Sequence, residues 1–312
     1  MAERAVPAVG SDSPRRGGLI LATLGAVAFS GKAILVKLAY RHGVDAVTVI
    51  MLRMLFALPL FLVLSWWAGR GRPPLTGRDR LAILLLGFFG YYLSSFLDFA
   101  GLQYINASLE RLVLYLTPTI VLAIGAVVYR RRVTAMQVTA MAVSYSGLLF
   151  VFGRDLSLKG GHTLLGAGLV FLSAISYAIY LVRSGEEVKR LGPLRLTGLA
   201  TSVACVLCIT QFVVLRPLGG FSVTPEVLWL SALNATLCTF APVIMVMMAI
   251  ERIGAPLASQ AGAIGPLSTI VMASAFLDEP LTYWLAIGTA FVVAGIWLLA
   301  RESRLVPAGH RR

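Results

Sequence analysis

Ten apolar stretches punctuate the chain, at residues 18–40, 44–68, 80–102, 106–129, 134–152, 163–182, 194–215, 226–250, 256–277 and 281–300. A helix that crosses a bilayer needs about 20 mostly apolar residues. Between the runs the sequence turns briefly polar, with Arg, Gly, Pro and Asp. The pattern predicts an all-α integral membrane protein with ten transmembrane helices. Residues 1–17, rich in Pro, Gly, Ser and Arg, read as a disordered cytoplasmic tail. The first helix reads as uncleaved, because its apolar run is long and holds Lys32 and Lys37. Residues 301–312 read as a second, basic tail.

The runs are not independent. The segment from Gly101 to Pro118 returns 148 positions later as Ala249 to Pro266, with Ala107 on Ala255, Leu109 on Leu257 and Pro118 on Pro266. The same offset places Thr134 on Thr282 and Gly147 on Gly295. The chain is a duplication, with a first five-helix repeat over 18–153 and a second over 162–300. An odd number of helices per copy turns the second copy upside down, the inverted-repeat plan of many secondary transporters.

Composition agrees. With 58% hydrophobic and 13% charged residues and a mean hydropathy of +0.84, the chain carries more apolar surface than one water-soluble core hides. The formal charge of +13 does not signal nucleic acid, because the arginines sit in short gaps and form no continuous basic face. With the N-terminus cytoplasmic, the inner segments hold nineteen of the 27 Lys and Arg and the outer loops four. That bias sets both termini in the cytoplasm and the protein in the cytoplasmic (inner) membrane. Cys205, Cys208 and Cys238 lie in apolar runs and read as packing residues, and His42, His162 and His310 are isolated. The reading calls for no metal, no cofactor and no catalytic constellation.

Charged residues inside apolar runs cost about 2.5–3.5 kcal/mol each on insertion scales, so most must pair or meet water. Lys32, Arg53 and Asp98 are such residues, with Lys37, Glu110 and Arg111 nearer the helix ends. Lys37, Glu110 and Arg111 are expected to snorkel to the interface. Asp98 and Glu110 are expected to pair with some of Lys32, Arg53 and Arg111 as an extracellular gate, leaving a cationic surplus for a substrate carboxylate. Pro118 and Pro266 interrupt backbone hydrogen bonding at matching sites of the two copies. Such paired breaks point to a binding site, with the freed carbonyls facing protein or a watery cavity; a packing kink is the alternative.

The Asn106-Ala107-Ser108 turn, Pro118 and Gly147 of the first copy resemble one half of an EamA-type transporter of the drug/metabolite transporter superfamily. So do Ala255-Pro256, Pro266 and the acidic linker Leu277 to Thr282 of the second copy, with Lys37 and Arg53 at the family's basic positions. The resemblance runs from Gly18 to Ala300. It implies a ten-helix carrier with a central cavity between the halves, moving a small polar metabolite by alternating access. An amino acid or related carboxylate is the expected substrate and export the expected direction. Tyr91, Tyr92, Tyr115, Tyr177, Tyr180, Asn234 and Gln260 fall on helices that line the family cavity, and helix packing is the equal alternative for each. A lipid or lipid-linked flippase on the same fold, or a membrane-embedded enzyme, stay open as other classes. Asp98 is the candidate for proton coupling, a role that pairing with a lysine removes.

Overall fold

Polar residues between the apolar runs start the helices. Asp45 accepts the Thr48 N–H at 3.1 Å, Thr76 and Asp79 form a reciprocal capping box, and Asn106 accepts the Leu109 N–H at 2.8 Å. Each fills a donor that a helix start leaves open. A computed structural model describes residues 12–129, 133–159, 161–216, 223–261 and 264–305. Its helices are α1 (Asp12–Tyr40), α2 (Ala46–Gly69), α3 (Gly77–Gly87), α4 (Ser94–Leu102), α5 (Ala107–Leu114), α6 (Thr117–Tyr129) and α7 (Ala135–Lys159). The second copy supplies α8 (Gly161–Leu191), α9 (Pro193–Leu215), α10 (Pro225–Ala235), α11 (Ala241–Ala261), α12 (Gly265–Leu277) and α13 (Tyr283–Leu305).

Two π turns make longer rods. Phe88–Leu93 joins α3 to α4, and Thr236–Phe240 joins α10 to α11. Their first residues, Phe88 and Thr236, are one repeat offset apart. Eight rods are long and apolar enough to cross a membrane, and the apolar helices Gly265–Leu277 and Tyr283–Leu298 are shorter.

The repeats depart from each other at one boundary. A break was expected after residue 250, but α11 runs on through Ala261, so the expected helix over 256–277 is divided between α11 and α12. The first copy does break there, after Leu102, because Asn106 caps the next helix. Its counterpart is Gly254, which has no side chain to cap with. α1 and α13 also exceed the expected spans, starting at Asp12 and ending at Leu305.

Glycines set the closest approaches, as they do where lipid gives helices no hydrophobic reason to associate. A Cβ on Gly18 of α1 would meet Ile253 Cγ2 of α11 at 2.4 Å, and one on Gly166 of α8 would meet Ile105 Cγ2 beyond α4 at 2.8 Å. Gly166 and Ile253 are the repeat counterparts of Gly18 and Ile105. Where α7 crosses α13, Gly147 faces the Gly288 carbonyl at 2.7 Å and Gly295 faces the Ala140 carbonyl at 2.6 Å, measured from the same ideal Cβ. Each contact recurs with the copies exchanged. The three cysteines are buried and free, and Cys205 Sγ rests 3.6 Å from Met54 Sδ.

Candidate functional site

The π turn places the site. Its irregular backbone leaves carbonyls that hydroxyls of α8 take up: Ser176 donates to the Phe89 carbonyl and Ser173 to the Ser94 carbonyl, both at 2.7 Å. The α3–α4 rod is thereby pinned to α8, and a cavity of about 540–630 Å³ class size for small ligands opens beside it, with a volume of 630 Å³. Lys32, Arg53, Asp98 and Arg111 line it together with Tyr91, Tyr115, Pro118 and Tyr177.

Charged groups cluster in one wall. Lys32 Nζ donates to Asp98 Oδ2 at 2.5 Å and stands 3.5 Å from Glu110 Oε1. Arg111 Nε donates to Thr269 Oγ1 at 2.9 Å and its Nη2 to the Phe29 carbonyl at 3.3 Å. Arg53 Nη2 donates to Ser95 Oγ at 3.2 Å, and its guanidinium lies 4.8 Å from the centroid of the Phe99 ring. The wall ties α1, α2, α4, α5 and α12 into one polar cluster.

Glu110 and Arg111 do not snorkel. They are 0% and 4% exposed. Their expected position near the rim fails because the start of α5 is itself covered. The Glu279 carboxylate accepts the Ala107 N–H at 2.7 Å, the Ser108 N–H at 3.2 Å and the Ser108 hydroxyl at 2.7 Å. Asp278, the left-handed C-cap of α12 at φ 59°, turns the linker to deliver it. Lys37 ends on the Leu102 carbonyl at 2.9 Å. Toward the α1–α2 turn, Tyr40 donates to the Phe99 carbonyl at 2.7 Å and Arg41 to the Leu277 carbonyl at 2.9 Å, with Asp278 3.6 Å away.

The carbonyls freed before Pro118 also behave differently from the expectation. The Leu114 carbonyl, which a residue other than proline would bond at 118, takes the Thr117 hydroxyl at 2.6 Å, and that of Leu116 takes the Thr119 hydroxyl at 2.7 Å. They are satisfied locally, and Pro118 meets the cavity with its ring. Pro266 is buried in the first turn of α12 and is not among the lining residues. Beside it, the Gly265 carbonyl accepts the Ser30 hydroxyl at 2.9 Å.

The remaining candidates divide. Tyr180 stands behind Tyr91, hydroxyl to hydroxyl at 3.0 Å, and stacks on Tyr177. Tyr92 turns away against the core and Phe88. Asn234 Nδ2 donates to the Lys32 carbonyl at 3.3 Å, supporting the lysine's backbone. The Gln260 side chain lies outside the described residues. Phe29, Ser95 and Ser173 line the cavity without having been singled out. Helical spacing carried the missing signal for two of them, since Phe29 precedes Lys32 by three residues and Ser95 precedes Asp98 by three.

Known proteins show the same pattern. The EamA-like transporter family matches residues 16–153 and again 164–301. The uncharacterized transporter YcbK of Bacillus subtilis is 30% identical over 294 residues, covering 89% of this chain and 92% of that protein. An uncharacterized transporter of Archaeoglobus fulgidus is 24% identical over 259 residues, 82% of this chain and 89% of its own. A solved crystal structure at TM-score 0.62 and 17% identity covers 94% of this chain and 99% of its own, a likeness of fold alone. Matched once in each copy, the chain belongs to the EamA-like transporter family and is a multi-pass membrane transporter.

Proposed function

We propose that the protein is a secondary transporter that moves a small polar metabolite, an amino acid or related carboxylate, across the cytoplasmic membrane by alternating access, in the direction of export. One observation carries this reading: three cations, Lys32, Arg53 and Arg111, converge with Asp98 on a single cavity of 630 Å³. A cavity of this volume suits a small solute, and a charged wall inside an apolar bundle is the setting in which intramembrane ions serve transport. These features favour a soluble metabolite over a lipid tail.

Ten crossings in two inverted repeats are part of the proposal. The reciprocal contacts of Gly18 with Gly166 and of Gly147 with Gly295, and the π turns at matching positions, support it. The positive-inside count supports cytoplasmic termini. In alternating access the two halves rock about the bound solute. The ties from Arg41, Tyr40 and Glu279 close the end toward the α1–α2 turn, and they must part for release there. Asp98, already the counter-ion of Lys32, is not the proton carrier in this reading.

The test is counterflow by purified protein in liposomes against a pool of amino acids and organic acids, with and without a pH gradient. Saturable movement of a carboxylated solute, lost in Lys32→Ala at matched incorporation, is the expected result. Folded protein that moves no soluble metabolite would overturn the reading. Dependence on the pH gradient would identify proton coupling.

A further inference from the structure

Two of the three cavity cations already have partners. Lys32 sits between Asp98 and Glu110, and Arg111 is held by Thr269 and the Phe29 carbonyl. Arg53 is different. A guanidinium offers five N–H donors, and among the described residues that of Arg53 makes one hydrogen bond, to Ser95, with no ion pair. Its Nε is sealed and without a partner. The side chain is 4% exposed, yet it lines the cavity. The Phe99 ring offsets part of the charge. A buried cation without a counter-ion is costly in an apolar setting, so the site is incomplete without an anion.

The charges around the cavity also limit what that anion carries. Lys32, Arg53 and Arg111 face two carboxylates, Asp98 and Glu110, which leaves one positive charge over. Asp98 Oδ2 is taken by Lys32, and Asp98 Oδ1 and both Glu110 oxygens are sealed from the cavity. No acid oxygen is free for a substrate ammonium. Away from the charges, Phe61, Leu114, Val121, Leu181 and Val243 form an apolar wall.

We propose, resting on the carrier reading above, that Arg53 is the anion-recognition residue of the cavity and selects a monocarboxylate with an apolar body over the zwitterionic amino acid. A planar carboxylate suits the edge of a guanidinium, which Lys cannot imitate. The single negative charge balances the surplus.

Two sets of similar shape test this: 4-methylvalerate, L-leucine and L-leucinamide; and 3-phenylpropanoate, L-phenylalanine and L-phenylalaninamide. Binding is read from the thermal midpoint of protein in nanodiscs across a titration of each probe. The acids are expected to bind the wild type, the amino acids about tenfold or more weakly, and the amides not at all. Arg53→Gln is expected to weaken acid binding by about tenfold to a hundredfold, with Arg53→Lys between. Without ligand, Arg53→Gln is expected to melt no lower than the wild type, which separates a lost site from a lost fold. Amino acids or amides binding as well as the acids, acids binding Arg53→Gln as they bind the wild type, or no probe binding at all would each overturn the proposal. Counterflow of the wider metabolite pool judges the carrier reading separately. Amino-acid exchange without acid binding would end the selectivity claim and leave the carrier standing.

Discussion

The hydroxyl of Tyr115 lies 2.4 Å from the point that a Cβ on Gly265 would occupy. Tyr115 ends α5 just before the Pro118 break, and Gly265 opens α12 just before Pro266. The interrupted helices of the two copies therefore meet at their interruptions. Gly265→Ala should drive the tyrosine off its seat and into the cavity it lines. Overpacking of this kind costs about 1–3 kcal/mol, so a lower thermal midpoint and slower counterflow are expected. Adding Tyr115→Phe removes the colliding hydroxyl and should recover part of both. An alanine variant indistinguishable from the wild type would show that the contact is slack.

Lys32 holds two buried carboxylates, and its loss should be felt first as instability. Lys32→Ala leaves Asp98 and Glu110 without their cation, and breaking a buried pair from one side costs about 3–5 kcal/mol. The triple variant Lys32→Ala, Asp98→Asn, Glu110→Gln removes the stranded charges. It should regain most of the thermal midpoint while transport stays lost. If the single variant melts like the wild type, Lys32 is not the counter-ion of this cluster.

Much of this architecture is legible in the sequence because lipid demands long apolar runs and a duplication keeps its offset. The deep cations and Asp98 stand out for the same reason: an apolar run makes each one conspicuous. Glu110 and Arg111 were misplaced because depth was counted from the start of their own helix, whereas α5 begins under Glu279, a residue 169 positions after Glu110. No local pattern encodes that contact. The π turns carry no periodic signature either, since one added residue per turn leaves the hydrophobic pattern almost unchanged. Tyr177 and Tyr180 share a face, and only packing decides that Tyr177 meets the cavity while Tyr180 backs Tyr91.

At the α1–α2 turn, Asp45 caps α2 and pairs with Arg216 at the end of α9. Partial burial pushes its carboxyl up, but the hydrogen bonds from Thr48 and the Arg216 guanidinium outweigh burial and hold it below the usual carboxylate range. A lowered folded value means stabilisation that is present above the unfolded value of about 3.9 and is lost as pH falls through the folded one. Both side chains are partly exposed, so screening limits the pair to about 1 kcal/mol or less. Asp45→Asn keeps an N-cap and should lower the midpoint slightly at pH 7. The difference from the wild type should vanish in acid below the folded value. A difference that persists there would assign the effect to capping.

Glu279 joins the linker of the second copy to the first turn of α5. Hydrogen bonds to a charged group are worth about 1.5–3 kcal/mol each in favourable cases, and an unfilled helix start loses that help. Glu279→Ala should therefore lower the thermal midpoint more than Ser108→Ala, which removes one of three donors. The two together should cost less than their sum, because both act through one carboxylate. Strict additivity in this double-mutant cycle would show that the contact is not formed.

The crossing of α7 and α13 offers a test of the symmetry itself. Gly147 approaches the Gly288 carbonyl as Gly295 approaches the Ala140 carbonyl, and each glycine is the other's repeat counterpart. Helices in lipid associate through close packing, because tails are as apolar as leucine. A Cβ at either site therefore forces the same pair of backbones apart. Gly147→Val and Gly295→Val should lower the thermal midpoint by similar amounts, each on the scale of about 1–3 kcal/mol. Gly153, on the same helix with nothing within 4 Å of its ideal Cβ, is the control, and Gly153→Val should change little by sterics. If valine is tolerated at one member of the pair and ruinous at the other, the two contacts are not equivalent. The crossing would then be an ordinary helix pair and no evidence for a two-fold relation between the halves.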